Sequence, residues 1–262
     1  YTGTATDDYI IADLSGATDT VIIKSSGANV DTLIGIENIT GTSGNDTIFG
    51  DSGANTLISG AGNDILEGGA GDDYLDGGAD IDTVFYNQAT SGVNVNLGTT
   101  ALQNVGGGQG NDTLIDIENV IGSGFADTFK GNNSVSNTFN GGMNLSTQVE
   151  NLNDENDTVD YSTLTGVTDK IIVDLSNTIS ANVQVTVAGV AQGADTLINI
   201  ENVIGGAGND TFTGNNNNNI LTGGAGDDYF YVKDAAISGE NDVIIGGNNT
   251  AVGDSVDFSQ IT

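Results

Sequence analysis

From Gly41 to Phe85 the chain runs five nine-residue units end to end: GTSGNDTIF, GDSGANTLI, SGAGNDILE, GGAGDDYLD and GGADIDTVF. Glycine recurs at the first and fourth places. A carboxylate or amide recurs at the sixth, and a large apolar residue at the eighth. Glycine permits the left-handed backbone of a tight turn and close approach to an ion. Asp supplies the hard oxygen that Ca²⁺ prefers. The apolar eighth residue belongs in a short strand, pointing into a narrow core. Repetition at this period is the mark of a parallel β-coil that binds calcium.

The composition agrees. Forty glycines come without proline, and 37% hydrophobic residues are enough to fill a core. Thirty-six acidic residues face four cationic ones, Lys24, Lys130, Lys170 and Lys233, for a formal charge of -32. Such a chain repels itself unless cations neutralise it. Nucleic acid is disfavoured as a partner, because phosphate contacts need Lys and Arg. No apolar run is long enough for a membrane-inserted helix, and no signal peptide is visible. Without Cys or His there is no disulfide framework and almost no ligand for zinc.

A longer repeat lies above the nonapeptide. DTLIGIENITGTSGNDT from Asp31, DTLIDIENVIGSGFADT from Asp112 and DTLINIENVIGGAGNDT from Asp195 are spaced 81 and 83 residues apart. Each leads into glycine-rich units and then into alternating β-branched sequence, such as Val93 to Leu97 and Ile171 to Leu175. Alternation predicts strands, and no segment carries a capped helical period. The expected fold is all-β: a parallel β-roll or β-solenoid of nonapeptides with β-rich connecting segments, in about three modules. Module 1 spans 1–85 with five nonapeptides at 41–85. Module 2 spans 86–142 with degraded repeats. Module 3 spans 143–262, with repeats at 205–231 and the start of a further module. The ends resemble mid-pattern sequence, so the chain reads as a piece of a longer array.

The nonapeptide frame places Glu37, Asp46, Asn55, Asp64, Asp73 and Asp82 at equivalent positions. If two units make one coil, Asp46, Asp64 and Asp82 stack on one side, and Glu37, Asn55 and Asp73 on the other. Glu118 and Asp127 occupy the frame in module 2. Glu201, Asp210, Asn219 and Asp228 do so in module 3. Carbonyls of the turn glycines would complete the shell of each ion. These are Gly41, Gly44, Gly50, Gly53, Gly60, Gly62, Gly68, Gly69, Gly71, Gly77, Gly78, Gly205, Gly206, Gly208, Gly223, Gly224 and Gly226. Asn55, Asn219 and, with a one-residue shift, Asn137 are either weaker ligands or turn-forming amides with no metal. The isolated Gly107–Asp112 match, lacking in-frame neighbours, reads as a plain glycine-rich loop.

These units resemble the RTX (repeats-in-toxin) family, whose β-rolls bind several Ca²⁺ ions through GGxGxDxUx repeats. The resemblance is specific over 41–85, good over 205–231 and partial over 117–142. It implies type I secretion from a Gram-negative bacterium and folding outside the cell. It does not select among the family's proteases, lipases, toxins, adhesins and surface-layer proteins.

No catalytic constellation is legible. Gly50-Asp51-Ser52-Gly53 spells a serine-protease motif, but a chain without His has no base for Ser52. Paired carboxylates can cleave glycosides, yet most acids here fall in the repeat frame or on turns. Tyr86, Tyr161, Tyr229 and Tyr231 read as strand packing. The expected role is a non-enzymatic, calcium-binding structural module of a secreted protein: a surface layer, adhesin stalk or filament. Self-association with further copies would be its main protein contact. The alternative is the non-catalytic C-terminal secretion module of a larger enzyme or toxin.

Overall fold

The computed structural model describes residues 9–16, 19–24, 28–132, 135–142, 156–176, 181–187, 190–233, 241–249 and 252–259. The described residues form 25 strands and no helix. The chain divides into two compact units, 1–123 and 124–262.

In the first unit the nonapeptides coil as their spacing predicts. Thr47–Phe49, Ile65–Glu67 and Thr83–Phe85 pair in parallel, joining residues 18 apart such as Thr47 with Ile65. Tyr9–Asp13 and Asn119–Ile121 extend this sheet at its two ends. The facing sheet pairs Asn38–Thr40, Thr56–Ala61, Tyr74–Ala79 and Asn111–Ile115, also in parallel. Two nonapeptides therefore make one coil, with a turn on either side.

Eighth-place residues fill the space between the sheets. Ile48, Leu57, Leu66, Leu75 and Val84 are all fully buried. Side chains alternate across a strand, so the seventh and ninth places face outward while the eighth faces its counterpart. Burying each such residue contributes roughly 1.5–3 kcal/mol. This narrow apolar column is the core between the two sheets of the coil.

The second unit repeats the arrangement. Lys170–Asp174, Thr211–Thr213, Tyr229–Tyr231 and Ser255–Asp257 form one parallel sheet. Thr128–Lys130, Thr158–Asp160, Asn202–Ile204, Ile220–Ala225 and Val243–Asn248 form the other. Its core rows are aromatic: Phe129 stacks on Phe139 at 5.7 Å and Phe212 on Phe230 at 5.1 Å between ring centroids. The β-rich connecting sequence folds into antiparallel meanders, Tyr9–Asp13 through Ala28–Leu33 in one unit and Lys170–Asp174 through Val190–Ile198 in the other.

The three DTLIxIEN segments share a backbone device. Gly35, Asp116 and Asn199, each at the variable place, have φ of 62°, 48° and 52°. The left-handed region tolerates only Gly and, less well, Asn or Asp, and the sequence uses those three.

Coils stack at the spacing of hydrogen-bonded strands, about 4.8 Å. Second-place glycines make that possible in the turns. Gly69 has φ of 88°, and a Cβ there would strike the Asp51 carbonyl of the preceding coil. Gly69→Ala is therefore expected to destabilise the folded chain by about 2 kcal/mol or more, combining left-handed strain with the collision. Chemical denaturation in saturating calcium would measure it, with Leu66→Ala, expected at about 2–5 kcal/mol, as the core reference.

Candidate metal centre

Sixth-place side chains form ladders along each side of the coil. In the first unit Asp64 Oδ1 accepts the N–H of Asp46 at 2.6 Å, and Asp82 Oδ1 that of Asp64 at 2.8 Å. Glu118 Oε2 continues the series by accepting from Asp82 at 2.9 Å. On the other side Asp73 Oδ1 accepts from Asn55 at 2.8 Å. In the second unit Asp228 accepts from Asp210 at 2.8 Å, and Asp157 from Asp127 at 2.7 Å. Glu201 accepts from Asp157 at 3.0 Å. Asp46, Asp64 and Asp82 thus stack on one side of the coil, and Asn55 and Asp73 on the other.

Three expectations need correction. The Gly107–Asp112 match is no plain loop. Asp112 Oδ1 accepts the Asp73 N–H at 3.1 Å, and Thr113 lies across from Tyr74, so the unit is the next rung of the ladder. Its in-frame neighbours are spatial, because the segment after Phe85 leaves the coil and returns at the right height. Glu37 does not stack as a carboxylate: it is exposed, and only its carbonyl joins the ladder, accepting from Thr56 N at 3.0 Å. Glu201 likewise meets Asn219 through its carbonyl, at 2.9 Å from Nδ2.

Asn137 holds the frame position with its one-residue shift, donating its N–H to Asp195 Oδ1 at 2.9 Å. The amide oxygens accept within their own turns. Asn55 Oδ1 accepts from Asp51 N at 2.8 Å, Asn219 from Asn215 N at 2.9 Å and Asn137 from Asn132 N at 3.0 Å.

Two sets of residues escaped the sequence reading. Fifth-place side chains make an outer ladder running in the opposite sense: Asn45 accepts from Asn63 N at 3.0 Å, Asp72 from Asn111 N at 2.8 Å and Asn209 from Asp227 N at 3.0 Å. The recurrent Asn or Asp before the sixth place was its signal. Tyr86 and Tyr161, both buried, donate their hydroxyls to Asp112 Oδ2 at 3.1 Å and Asp195 Oδ2 at 2.8 Å. No local pattern announces these pairs.

The second carboxylate oxygen separates the turns into two kinds. Where the second residue is not left-handed, its N–H caps the carboxylate: Thr42 N donates to Asp46 Oδ2 at 2.5 Å and Gly206 N to Asp210 Oδ2 at 2.9 Å. Where it is a left-handed glycine, at Gly60, Gly69, Gly78 and Gly224, no donor reaches the buried Oδ2 of Asp64, Asp73, Asp82 or Asp228. The Ser59 hydroxyl beside Asp64 donates instead to the Gly77 carbonyl at 2.7 Å. Changing the sign of φ swings the preceding peptide and takes its N–H off the acid.

First-place glycines complete the geometry. A Cβ on Gly77 would strike both Asp82 Oδ2 and the Asp116 carbonyl, and one on Gly223 both Asp228 Oδ2 and the Gly246 carbonyl. Carboxylate and carbonyl oxygens of successive coils are thus held side by side. Among the described residues no three acids converge on one point, so an ion here would draw much of its shell from carbonyls. The donor set is all oxygen, buried and short of positive charge, and it fits Ca²⁺.

Burial lifts these acids: Asp64, Asp73 and Asp228 to about 6, Asp82, Asp112 and Asp210 to about 7, desolvation being the main cause.

The model of the RTX calcium-binding nonapeptide repeat (4 copies) matches residues 31–66, 49–84 and 199–232. No curated protein matches the chain. The chain carries the RTX repeat in both units, and such repeats are typical of calcium-binding modules in secreted proteins.

The raised pKa values set a pH dependence. Unfolded, these carboxylates titrate near 3.8, so between about pH 4 and 7 the folded chain binds more protons than the unfolded one. Stability without metal must fall as pH rises through that window. In chelator the β signal in circular dichroism is expected to be larger at pH 5 than at pH 7.5. With saturating calcium the trend should reverse, because protons then compete with the ion.

Proposed function

We propose that the chain is a calcium-dependent structural module of an extracellular protein, whose coils fold and stiffen when ions bridge successive turns. The observation that carries this is the pairing of an unpartnered Asp oxygen with the next coil's carbonyl at Gly77 and Gly223. Asp82 and Asp228 would hold ions there, with Asp64 and Asp73 in the other turns of the same kind. Calcium would supply positive charge to a buried acid column and a non-covalent cross-link between layers.

The energetics favour a metal-gated coil. Each repeat contacts only its neighbours, so the apolar column is thin. One site at tenfold excess over Kd adds about 1.4 kcal/mol, and several together rival the stability of an ordinary domain. Only a few cations are built in, Lys130 with Asp160 at 2.7 Å being one pair. With a net charge of -32, divalent ions are the effective neutralisers.

Association of copies is the partner chemistry that best suits the second unit's last strands. Val243–Asn248 and Ser255–Asp257 each end a sheet among the described strands. Val243, Ile245, Val256 and Phe258 are exposed there. An unpaired, partly apolar edge invites another strand. RTX repeats being typical of secreted proteins, the module would work outside the cell, where calcium is abundant.

Adding a chelator at neutral pH should abolish most of the β signal in circular dichroism, and calcium but not magnesium should restore it. An unchanged spectrum would refute the calcium-gated role. Association is tested separately. In calcium, the Ile245→Lys/Val256→Lys variant should sediment as a monomer while the parent chain forms larger species.

A further inference from the structure

Thr83-Val84-Phe85-Tyr86, Thr158-Val159-Asp160-Tyr161 and Ser255-Val256-Asp257-Phe258 are variants of one segment. The first two each receive a parallel strand from the DTLIxIEN segment that follows. Val84 lies across from Val120, and Val159 from Val203. The bonds match in both places. Asn119 N donates to Asp82 O and Tyr86 N to Ile121 O, each at 2.9 Å; Asn202 N donates to Asp157 O at 2.9 Å and Tyr161 N to Ile204 O at 2.8 Å. The glutamate joins in as well, Glu118 Oε2 accepting from Asp82 N and Glu201 Oε2 from Asp157 N. The DTLI part docks alike on the unit before, with Leu114 across from Leu75 and Leu197 across from Phe139.

The third pair of segments stays apart. Among the described strands, Val243–Asn248 and Ser255–Asp257 each end a sheet at the tail of the second unit, and Ala28–Leu33 and Asn38–Thr40 each end one at the head of the first. Residues that the joined pairs bury are uncovered here. Val84, Val159, Tyr86 and Tyr161 are buried, whereas Val256 is 41% and Phe258 60% exposed. Ile117 and Ile200 are buried, whereas their counterpart Ile36 is 37% exposed. Asp112, Asp195 and Glu201 are buried, whereas Asp31 and Glu37 are exposed. Head and tail thus carry the two halves of a contact that the chain makes twice within itself, and both present open strand edges.

We propose that the tail of one copy docks on the head of a second, with Ser255–Asp257 parallel to Asn38–Thr40 and Val243–Ile245 parallel to Thr32–Ile34. This rests on the reading that the last strands associate, and it names the surface that receives them. The register follows the internal pairs: Val256 lies across from Ile39 and Ile244 across from Leu33, so both apolar columns continue from copy to copy. The Glu37 carboxylate accepts the Asp254 N–H, taking the place that Glu118 and Glu201 hold in their own modules. Phe258 stands where Tyr86 and Tyr161 stand. Its ring reaches a cavity of about 300 Å³ beside Asn38–Thr40, lined among others by Ile10, Val21, Asp31, Leu33 and Ile36. Two different surfaces meet, so each docked copy leaves one of each open, and growth runs on as a filament or closes as a ring.

Two double variants of the full chain test the pairing by sedimentation in saturating calcium. Ile245→Lys/Val256→Lys blocks the tail, and Ile34→Lys/Glu37→Lys blocks the head. Each is expected to keep the parent's circular dichroism and to run alone as a monomer. Mixed in equal amounts they should form a 1:1 dimer and nothing larger, because one open head meets one open tail. A head-blocked chain that still assembles by itself overturns this pairing and leaves association through the last strands intact. Variants that stay monomeric when mixed also overturn it. A parent chain that is monomeric at every concentration overturns both. Should a charged variant fail to fold, cysteine trapping decides, since the chain has no Cys of its own. The internal counterparts touch, Asn119 Nδ2 lying 3.4 Å from Thr83 Oγ1. Ser255→Cys and Asn38→Cys, in separate chains, should therefore oxidise to a linked dimer, and Ser255→Cys with Thr56→Cys, one coil further in, should not. No link in the first mixture, or an equal one in the second, sinks the pairing.

Discussion

One hydrogen bond organises this protein: the sixth-place N–H of each coil donates to the carboxylate one coil further on. It fixes the register of successive layers at 18 residues, as in Asp46 to Asp64 to Asp82. The same bond draws an acid into the turn and buries it beside the next acid. Order along the coil is therefore obtained by stacking like charges out of water, an arrangement unfavourable by itself. The remaining features of the turns can be understood as ways of meeting that cost.

Four solutions occur. Asp46 and Asp210 take a second N–H from their own turn. Asn55, Asn137 and Asn219 drop the charge and are satisfied locally. Asp112 and Asp195 each receive a buried tyrosine hydroxyl, Tyr86 and Tyr161 respectively. Asp64, Asp73, Asp82 and Asp228 have none of these, and there the second oxygen is left without a donor. The backbone sign at the second place separates the first case from the last. Whether an acid's second oxygen finds a donor is thus written into main-chain conformation as much as into acid count.

Much of this was legible because local and spatial repeats coincide. Within 41–85 the residue that stacks on position n is n + 18, so a pattern in the string is a pattern in space. The apolar eighth place, the two-sided coil and the Asp46, Asp64 and Asp82 column follow from that alone. Where the chain departs from the coil and returns, the correspondence fails. Asp112 lies in the ladder 39 residues after Asp73, and nothing in its own neighbourhood says so. Gly206 shows a second limit. It has the same GG context as Gly69 and Gly224, yet its φ is not positive and its N–H caps Asp210.

The amino-acid order thus settled the β-coil, its nine-residue period, the residues of the core and the oxygen chemistry of the turns, because each depends on a short repeated segment. The folded arrangement settled which acids are capped, which are left without a donor, and that Asp112 returns to the ladder beyond Asp73. Those outcomes depend on which peptide N–H or side chain arrives from a distant part of the chain, and distance along the sequence carries no measure of that.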